Sequence, residues 1–533
     1  MLVHGAGEVL VPAHLHFGKF ILDRLRETDP ERNCLISNTT KYNLTFKEVS
    51  QFVVRLSVGL TQQGVGKGDT VVVAGEPPGT SFPTGLAVIL TGATLALIDI
   101  QCGEAILKHK LNLTKPKYII CTRKFLEAFS DVLKGSNFIK TFICFDDVEG
   151  MESVATLVSS QEVDMDQFEP TAVEGQTDVA LISFSSGTTG LSKGVLLTHL
   201  NLIARSISIT QWYFDYNSLY AEPLQVGFFS EPDRTSFYDF NMMCTLLCSG
   251  QTVVYSESDV DLKYVKEFQV HTMPTVPAII EMMVNAPDLS SLKLVCTVGS
   301  PLNRRTAKLL QERYPGIKLV NLYGTTETGS ITTTQNKAFD FDVVQQDPKA
   351  DGYCVGYAVP GVTIKVVDVE TRKILGPNQR GELCVRGPRL MKDYLGATEP
   401  YLDEQGYYLT GDLGYFDDQK RIYLVNRLKD VINYMGQKVS PGDVESVLLQ
   451  HPAVQEAAVV GKPAGVEGEE LPTAFVVLRA GTAATETELV HYVAKQVTWY
   501  MQLRGGVRFV LELPRNAMQK VLRRRLREIL TQE

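Results

Sequence analysis

Between residues 70 and 322 the sequence switches repeatedly between two hydrophobic patterns, and that alternation limits the possible fold more than any other feature. Short runs rich in apolar and β-branched residues, among them Thr70–Ala74, Tyr118–Cys121, 142–145, 179–184, Thr252–Tyr255, 292–298 and 317–322, read as strands buried on both faces. Between them lie helical patterns such as 278–284 and 305–313. Thr45-x-x-Glu48 is a capping box, and it opens a helix with Phe52, Val53, Leu56 and Leu60 on one face. Strands alternating with helices imply an α/β fold of mostly parallel sheets covered on both sides. The most apolar window, 85–100, is interrupted by Thr and Gly. It is too short for a membrane span and reads as a buried helix followed by a strand.

At 533 residues the chain is long enough for several packed units. Residues 361–386 carry short strands with Gly/Pro turns, which predicts a smaller β-rich subdomain. A second unit is expected from Arg427. Ser440-Pro441 starts a helix with Val444, Val447 and Leu448 on its apolar face; strand-like runs follow at 455–460 and 474–478, and Thr485-x-x-Glu488 caps a further helix. The expected division is therefore a large domain over 1–426 and a compact α+β domain over 427–533.

Composition excludes several classes. An apolar content of 44% with 21% charged residues is neither a disordered nor a fibrous chain. The balance 52 − 61 = −9 argues against a general polyanion binder, so the basic run 520–527 is read as a solvated helix and no nucleic-acid partner is expected. Nine scattered cysteines without a CxxC pair predict reduced thiols, neither disulfides nor a zinc site. The start of the chain does not resemble a secretory signal, and Thr531-Gln532-Glu533 is not a peroxisomal one, which makes the cytoplasm the expected location.

The most informative stretch follows a predicted strand: Ser183-Phe184-Ser185-Ser186-Gly187-Thr188-Thr189-Gly190-Leu191-Ser192-Lys193-Gly194. Small residues let the backbone approach a polyphosphate closely, hydroxyls and amides donate to it, and Lys193 adds charge. It is not a P-loop, because Lys193 stands between Ser192 and Gly194 and not in Gly-Lys-Ser/Thr.

Further segments occur downstream in a telling order. They are Tyr323-Gly324-Thr325-Thr326-Glu327, Gly381-Glu382-Leu383-Cys384-Val385-Arg386-Gly387, Tyr408-Leu409-Thr410-Gly411-Asp412, Asn426-Arg427-Leu428-Lys429-Asp430, and Pro514-Arg515-Asn516 ahead of Lys520. Together with the phosphate loop they resemble the adenylate-forming (ANL) superfamily over nearly the whole chain: acyl-CoA synthetases, 4-coumarate–CoA ligases, beetle luciferases and adenylation domains. The resemblance implies a large domain of two parallel-rich αβαβα sheets plus a β-rich part, and a small mobile cap. It implies ATP, Mg²⁺ and coenzyme A, and a fatty or aromatic carboxylic acid that is first adenylated and then transferred to the thiol.

The same resemblance assigns roles. Ser185, Ser186, Gly187, Thr188, Thr189, Gly190 and Lys193 would hold the phosphates, with Thr326 at the α-phosphate and Glu327 on Mg²⁺. Gly299-Ser300, Asn321, Leu322, Tyr323 and Gly324 would line the adenine, and Asp412 and Arg427 the ribose. Lys429 would be the hinge, Gly436 would border the pantetheine path, and Lys520 would bridge the attacking carboxylate and the α-phosphate. Several positions depart from the pattern. Ser192 replaces a proline, Met518-Gln519 replaces Thr-Gly, and Asn321-Leu322 replaces Gln-Gly. The stretch 228–240 lacks an aromatic-His gate, and Asn433 and Met435 stand where relatives have lysines. The last change disfavours light emission. The leading expectation is an acid–thiol ligase; the alternatives are a luciferin monooxygenase-like enzyme and a non-catalytic binder of nucleotide or acyl-adenylate.

Overall fold

The computed structural model describes residues 1–5, 7, 11, 15–38, 43–74, 78–98, 104–185, 193–207, 224–229, 237–255, 261–286, 288–299, 302, 304–334, 352–396, 400–434, 437–439, 441–464, 470–497, 499–515 and 521–532. An eight-stranded sheet has Thr70–Ala74 near its centre, parallel to Thr94–Ile98 and Tyr118–Cys121. Val179–Ser185 joins it in parallel, then pairs antiparallel with Lys193–Thr198, which in turn pairs with Asp393–Tyr394. The expected capping box is present at Thr45 and Glu48; it starts the helix Phe46–Gln62, which buries Val49, Val53, Leu56 and Leu60. The apolar window resolves as expected into the helix Pro78–Leu90 and the strand Thr94–Ile98.

The second sheet has fourteen strands and changes character part-way. Asn33–Ser37, Thr252–Tyr255, Val226–Phe229, Thr272–Thr275, Leu294–Thr297 and Lys318–Thr325 run parallel. From Lys318–Thr325 onward the pairing is antiparallel, through Gly329–Thr333 and Tyr353–Ala358 to Ile422–Arg427 and Tyr408–Phe416. The β-rich part expected from residue 361 is thus continuous with the parallel sheet. Gly324 permits the junction: a Cβ there would lie 2.1 Å from the Gly329 carbonyl oxygen, so only glycine lets the chain reverse this tightly.

Toward the C-terminus, Val454–Pro463 pairs antiparallel with Glu470–Leu478, which pairs in parallel with Val507–Phe509. One side of this sheet buries Val459, Ala474 and Val476 with Val444, Leu448, Leu489 and Val493; the other buries Ala458, Val460 and Phe475 with Leu526 and Leu530 of the helix Arg523–Gln532. Among the described residues eight cysteines are buried and form no disulfide, and no helix is long and apolar enough to cross a membrane.

Two buried histidines fasten the amino-terminal helix to the large domain. The neutral His16 ring caps Phe17–Glu27, its Nδ1 accepting from Gly18 N at 3.0 Å. Nδ1 of His199 accepts from Phe17 N at 3.1 Å, and the two rings meet edge to face at 4.6 Å. Burial pushes His16 down to about 4, and burial reinforced by the neighbouring His16 pushes His199 down to about 3.

Candidate active site

The strands flanking the expected phosphate loop pair with each other. Ser185 and Lys193 are directly opposite partners where the strands Val179–Ser185 and Lys193–Thr198 meet. Residues 186–192, with Ser186, Gly187, Thr188, Thr189 and Gly190, lie outside the described residues. Lys193 Nζ stands 5.0 Å from the centre of the Tyr394 ring.

Tyr394 connects that lysine to the expected metal ligand. Its hydroxyl donates to Glu327 Oε1 at 2.8 Å and lies 3.1 Å from the Tyr408 hydroxyl. Burial, then the Glu327 charge, pushes both phenols well above the ordinary tyrosine range, so they remain protonated donors. Glu327 is buried, and among the described residues its Oε2 accepts no hydrogen bond. One carboxylate oxygen with a hydrogen-bonded partner oxygen fits Mg²⁺, which takes few protein ligands and completes its shell with water and phosphate.

The backbone that presents Thr326 and Glu327 is held by two buried arginines. Arg205 donates to Thr326 O at 3.2 Å, Glu327 O at 2.9 Å and Arg389 O at 2.9 Å. Arg389 donates to Ser330 O at 2.6 Å. Burial lowers each guanidinium to about 9, helped at Arg205 by the Arg389 charge, and both remain cationic at neutral pH. Because Arg205 follows the strand Lys193–Thr198 of the first sheet, these bonds tie that strand's region to the turn between Lys318–Thr325 and Gly329–Thr333 of the second.

Asp412 and Arg427 are direct cross-strand partners, which puts both side chains on one face. Arg427 Nε lies 2.6 Å from Asp412 Oδ1, and the Tyr323 hydroxyl donates to Oδ2 at 2.6 Å. Burial opposes the Arg427 charge more than any single neighbour favours it, but Asp412, Tyr323, Tyr408 and Glu327 together outweigh burial and the pKa is raised. Burial, then Asp412, pushes the Tyr323 phenol well up. Gly411, inside the strand just before Asp412, takes φ +66, with its N–H on Glu382 Oε1 at 3.0 Å.

The structure therefore brings Lys193, Glu327, Tyr323, Asp412 and Arg427 into one neighbourhood where the two sheets meet. Gly299, at φ +95 with open space about it, follows the strand Leu294–Thr297. The Asn321 backbone pairs with Thr334. Leu322 turns away from Tyr323 into an apolar layer with Leu294 and Cys296. The backbone of Lys429 forms a 3-10 turn, Leu428–Asp430. Ser300, Gly436 and Lys520 lie outside the described residues, but the loop carrying Lys520 is closed by a bridge between Arg515 and Val521 and by Leu522 N donating to Pro514 O at 2.7 Å.

The sequence matches the AMP-binding enzyme family over residues 22–395 and the AMP-binding enzyme C-terminal domain over 443–520. The chain belongs to the adenylate-forming superfamily. A luciferin 4-monooxygenase of Nipponoluciola cruciata is 36% identical over 445 residues, covering 80% of this chain and 78% of that protein. A 4-coumarate–CoA ligase of Arabidopsis thaliana is 32% identical, covering 98% and 92%. Among solved structures, ATP-bound MatB from Rhodopseudomonas palustris superposes with a TM-score of 0.83 at 23% identity, over 97% of this chain and 99% of that one. The fold of this adenylate-forming chain is accordingly the mixed α/β architecture expected, with large sheets and a smaller C-terminal unit. Arg205, Arg389 and Tyr394 were not singled out by sequence reasoning; the one available signal was an arginine set inside the apolar helical run Leu202-Ile203-Ala204.

Proposed function

We propose that this member of the superfamily is an ATP-dependent acid–thiol ligase, with residues 1–426 as the adenylation domain and 427–533 as the cap. The observation that carries the reading is the joined network of Lys193, Tyr394 and Glu327 beside Tyr323, Asp412 and Arg427. In the first step a carboxylate oxygen bonds to the α-phosphorus and pyrophosphate leaves; in the second the coenzyme A sulfur bonds to the acyl carbon and AMP leaves.

Lys193, with Thr188 and Thr189, would neutralise the departing phosphates, and Thr326 would donate to the α-phosphate. Asp412 would accept from the ribose hydroxyls while Arg427 keeps the carboxylate in place. Glu327 would hold Mg²⁺, which supplies positive charge where phosphate charge accumulates. Lys520 would arrive with the cap and stabilise the same charge, and Gly436 would leave room for the thiol arm. The eight buried cysteines among the described residues, none in a disulfide, support a reducing, cytoplasmic setting.

The test separates the half-reactions. Lys520→Ala is expected to lower pyrophosphate release by at least about 100-fold, the scale of removing one oxyanion-stabilising group, and to spare thioester formation from preformed acyl-adenylate. Equal loss in both steps would refute the assignment of Lys520. The luciferin 4-monooxygenase relatives favour a second reading, oxidation of an adenylate with light emission; a dark reaction with luciferin, ATP and oxygen removes it.

A further inference from the structure

We propose that Glu382 is a positioning residue for the nucleotide sugar: its carboxylate holds the strand bulge that presents Asp412, and so sets how strongly the site prefers a ribonucleotide to a deoxyribonucleotide. The inference rests on the adenylate-forming reading above and gives Glu382 a part in it.

The strands Gly381–Arg386 and Tyr408–Phe416 are antiparallel neighbours whose register breaks at one place. Glu382 stands opposite Leu413 but Cys384 stands opposite Leu409, so Thr410, Gly411 and Asp412 together face the single residue Leu383. The two extra residues interrupt the ladder, and their backbone groups need other partners. Side chains supply them. Glu382 Oε1 accepts from Gly411 N at 3.0 Å, and Thr410 Oγ1 accepts from Asp412 N at 3.0 Å while donating to Leu383 O at 2.7 Å. Arg427 Nη1 donates to Thr410 O at 3.4 Å.

Glu382 is itself fixed. It is buried, and its second oxygen, Oε2, accepts from Arg372 Nη1 at 2.6 Å. Arg372 reaches in from the turn after the strand Thr363–Val367, where its backbone N–H donates to Asp368 O at 3.0 Å. A charge-assisted pair of this length fixes the carboxylate and leaves Oε1 to the bulge.

The bulge decides where Asp412 points. Gly411 takes φ +66 within it, and the next residue lands directly opposite Arg427 with Tyr323 on its other oxygen. Without an acceptor on residue 382 the Gly411 N–H loses its partner, and the strand is free to relax toward regular pairing. A slip of one residue turns a side chain to the opposite face, which would take Asp412 off the wall it shares with Tyr323 and Arg427. A carboxylate that accepts from both ribose hydroxyls tells ribose from deoxyribose only while held at that geometry. A merely weakened fold would slow both nucleotides alike.

Pyrophosphate release with ATP and with 2′-deoxyATP, using the best acid found, gives the ratio of kcat/KM values that reads this role. The intact protein is expected to favour ATP by about 10- to 100-fold, the worth of one hydrogen bond to a charged group. Glu382→Met should lower that ratio by at least about fivefold. Glu382→Asp keeps the charge but falls one methylene short of Gly411, and should lower it as well; it decides alone if Glu382→Met fails to fold by circular dichroism. Glu382→Gln combined with Arg372→Met keeps an acceptor at full reach with no cation competing for the amide oxygen, and should hold the ratio within about threefold of the parent. An unmoved ratio in the folded Glu382→Met or Glu382→Asp protein overturns the proposal, as does loss of the ratio in the folded double variant. An intact protein that uses both nucleotides equally well also overturns it and leaves adenylation standing. No pyrophosphate from any acid removes the adenylation reading and this inference with it.

Discussion

Lowering the pH from 8 to 5.5 will weaken the large domain through His16 and His199, by an amount the structure sets. In the folded chain each Nδ1 accepts a backbone N–H, at Gly18 and at Phe17, which requires a neutral ring. Their folded pKa values, about 4 and about 3, lie below the unfolded value of 6.5. The stabilisation is therefore complete above pH 6.5 and is lost as pH falls from there toward the folded values, because the unfolded chain takes up protons that the folded one refuses. At pH 5.5 the unfolded state gains between 1 and 2 kcal/mol per ring, roughly 3 kcal/mol for the pair. That magnitude needs only folded values below about 5, so it does not depend on how the two rings share their coupling. Denaturant unfolding in a Trp499→Phe background, where Trp212 is the remaining tryptophan, reports the large domain at the two pH values. The double variant His16→Asn, His199→Asn should show roughly 3 kcal/mol less change between pH 8 and 5.5 than its parent, whatever its absolute stability. An unchanged pH dependence in the double variant would show that the rings titrate normally and that the reasoning is wrong.

Arg205→Met removes the donor shared by the carbonyls of Thr326, Glu327 and Arg389. It is expected to cost roughly 3 kcal/mol in unfolding free energy and to lower adenylation, since the loop bearing Glu327 loses its brace; a fully active variant of parental stability would contradict this. Tyr394→Phe keeps the ring beneath Lys193 and deletes the hydroxyl on Glu327. The Mg²⁺ concentration for half-maximal pyrophosphate release should rise by about 10- to 100-fold with about 1 kcal/mol of stability lost, and an unmoved Mg²⁺ requirement would detach Tyr394 from the metal site.

What could be read in advance depended on the range of the interaction. The capping boxes at Thr45 and Thr485 are complete within four residues, and both are present in the structure. Strand and helix patterns along 70–322 were legible because burial on both faces leaves a local mark. The continuity of the β-rich part with the parallel sheet was not, because it depends on a reversal at Gly324 that only the Gly329 carbonyl explains. Asp412 and Arg427 stood out as motif residues, yet their direct pairing is a matter of strand register, which no local pattern encodes. Arg205 was hidden for the same reason: its three acceptors lie 121, 122 and 184 positions further along the chain.

The 3-10 turn Leu428–Asp430 is gripped at both ends. Arg427, immediately before it, is held by Asp412 of the large domain, and Asp430, its last residue, accepts from Arg527 of the C-terminal helix at 3.3 Å. Were residues 427–533 to swing as the proposed cap, the motion would have few free torsions to use here, essentially those of Leu428 and Lys429 unless the Arg527 contact gave way. The connection would then behave as a swivel and not as a tether. On the proposed reading its bearing is set in the same wall that would receive the ribose, so any arc of the proposed cap would be referenced to the nucleotide.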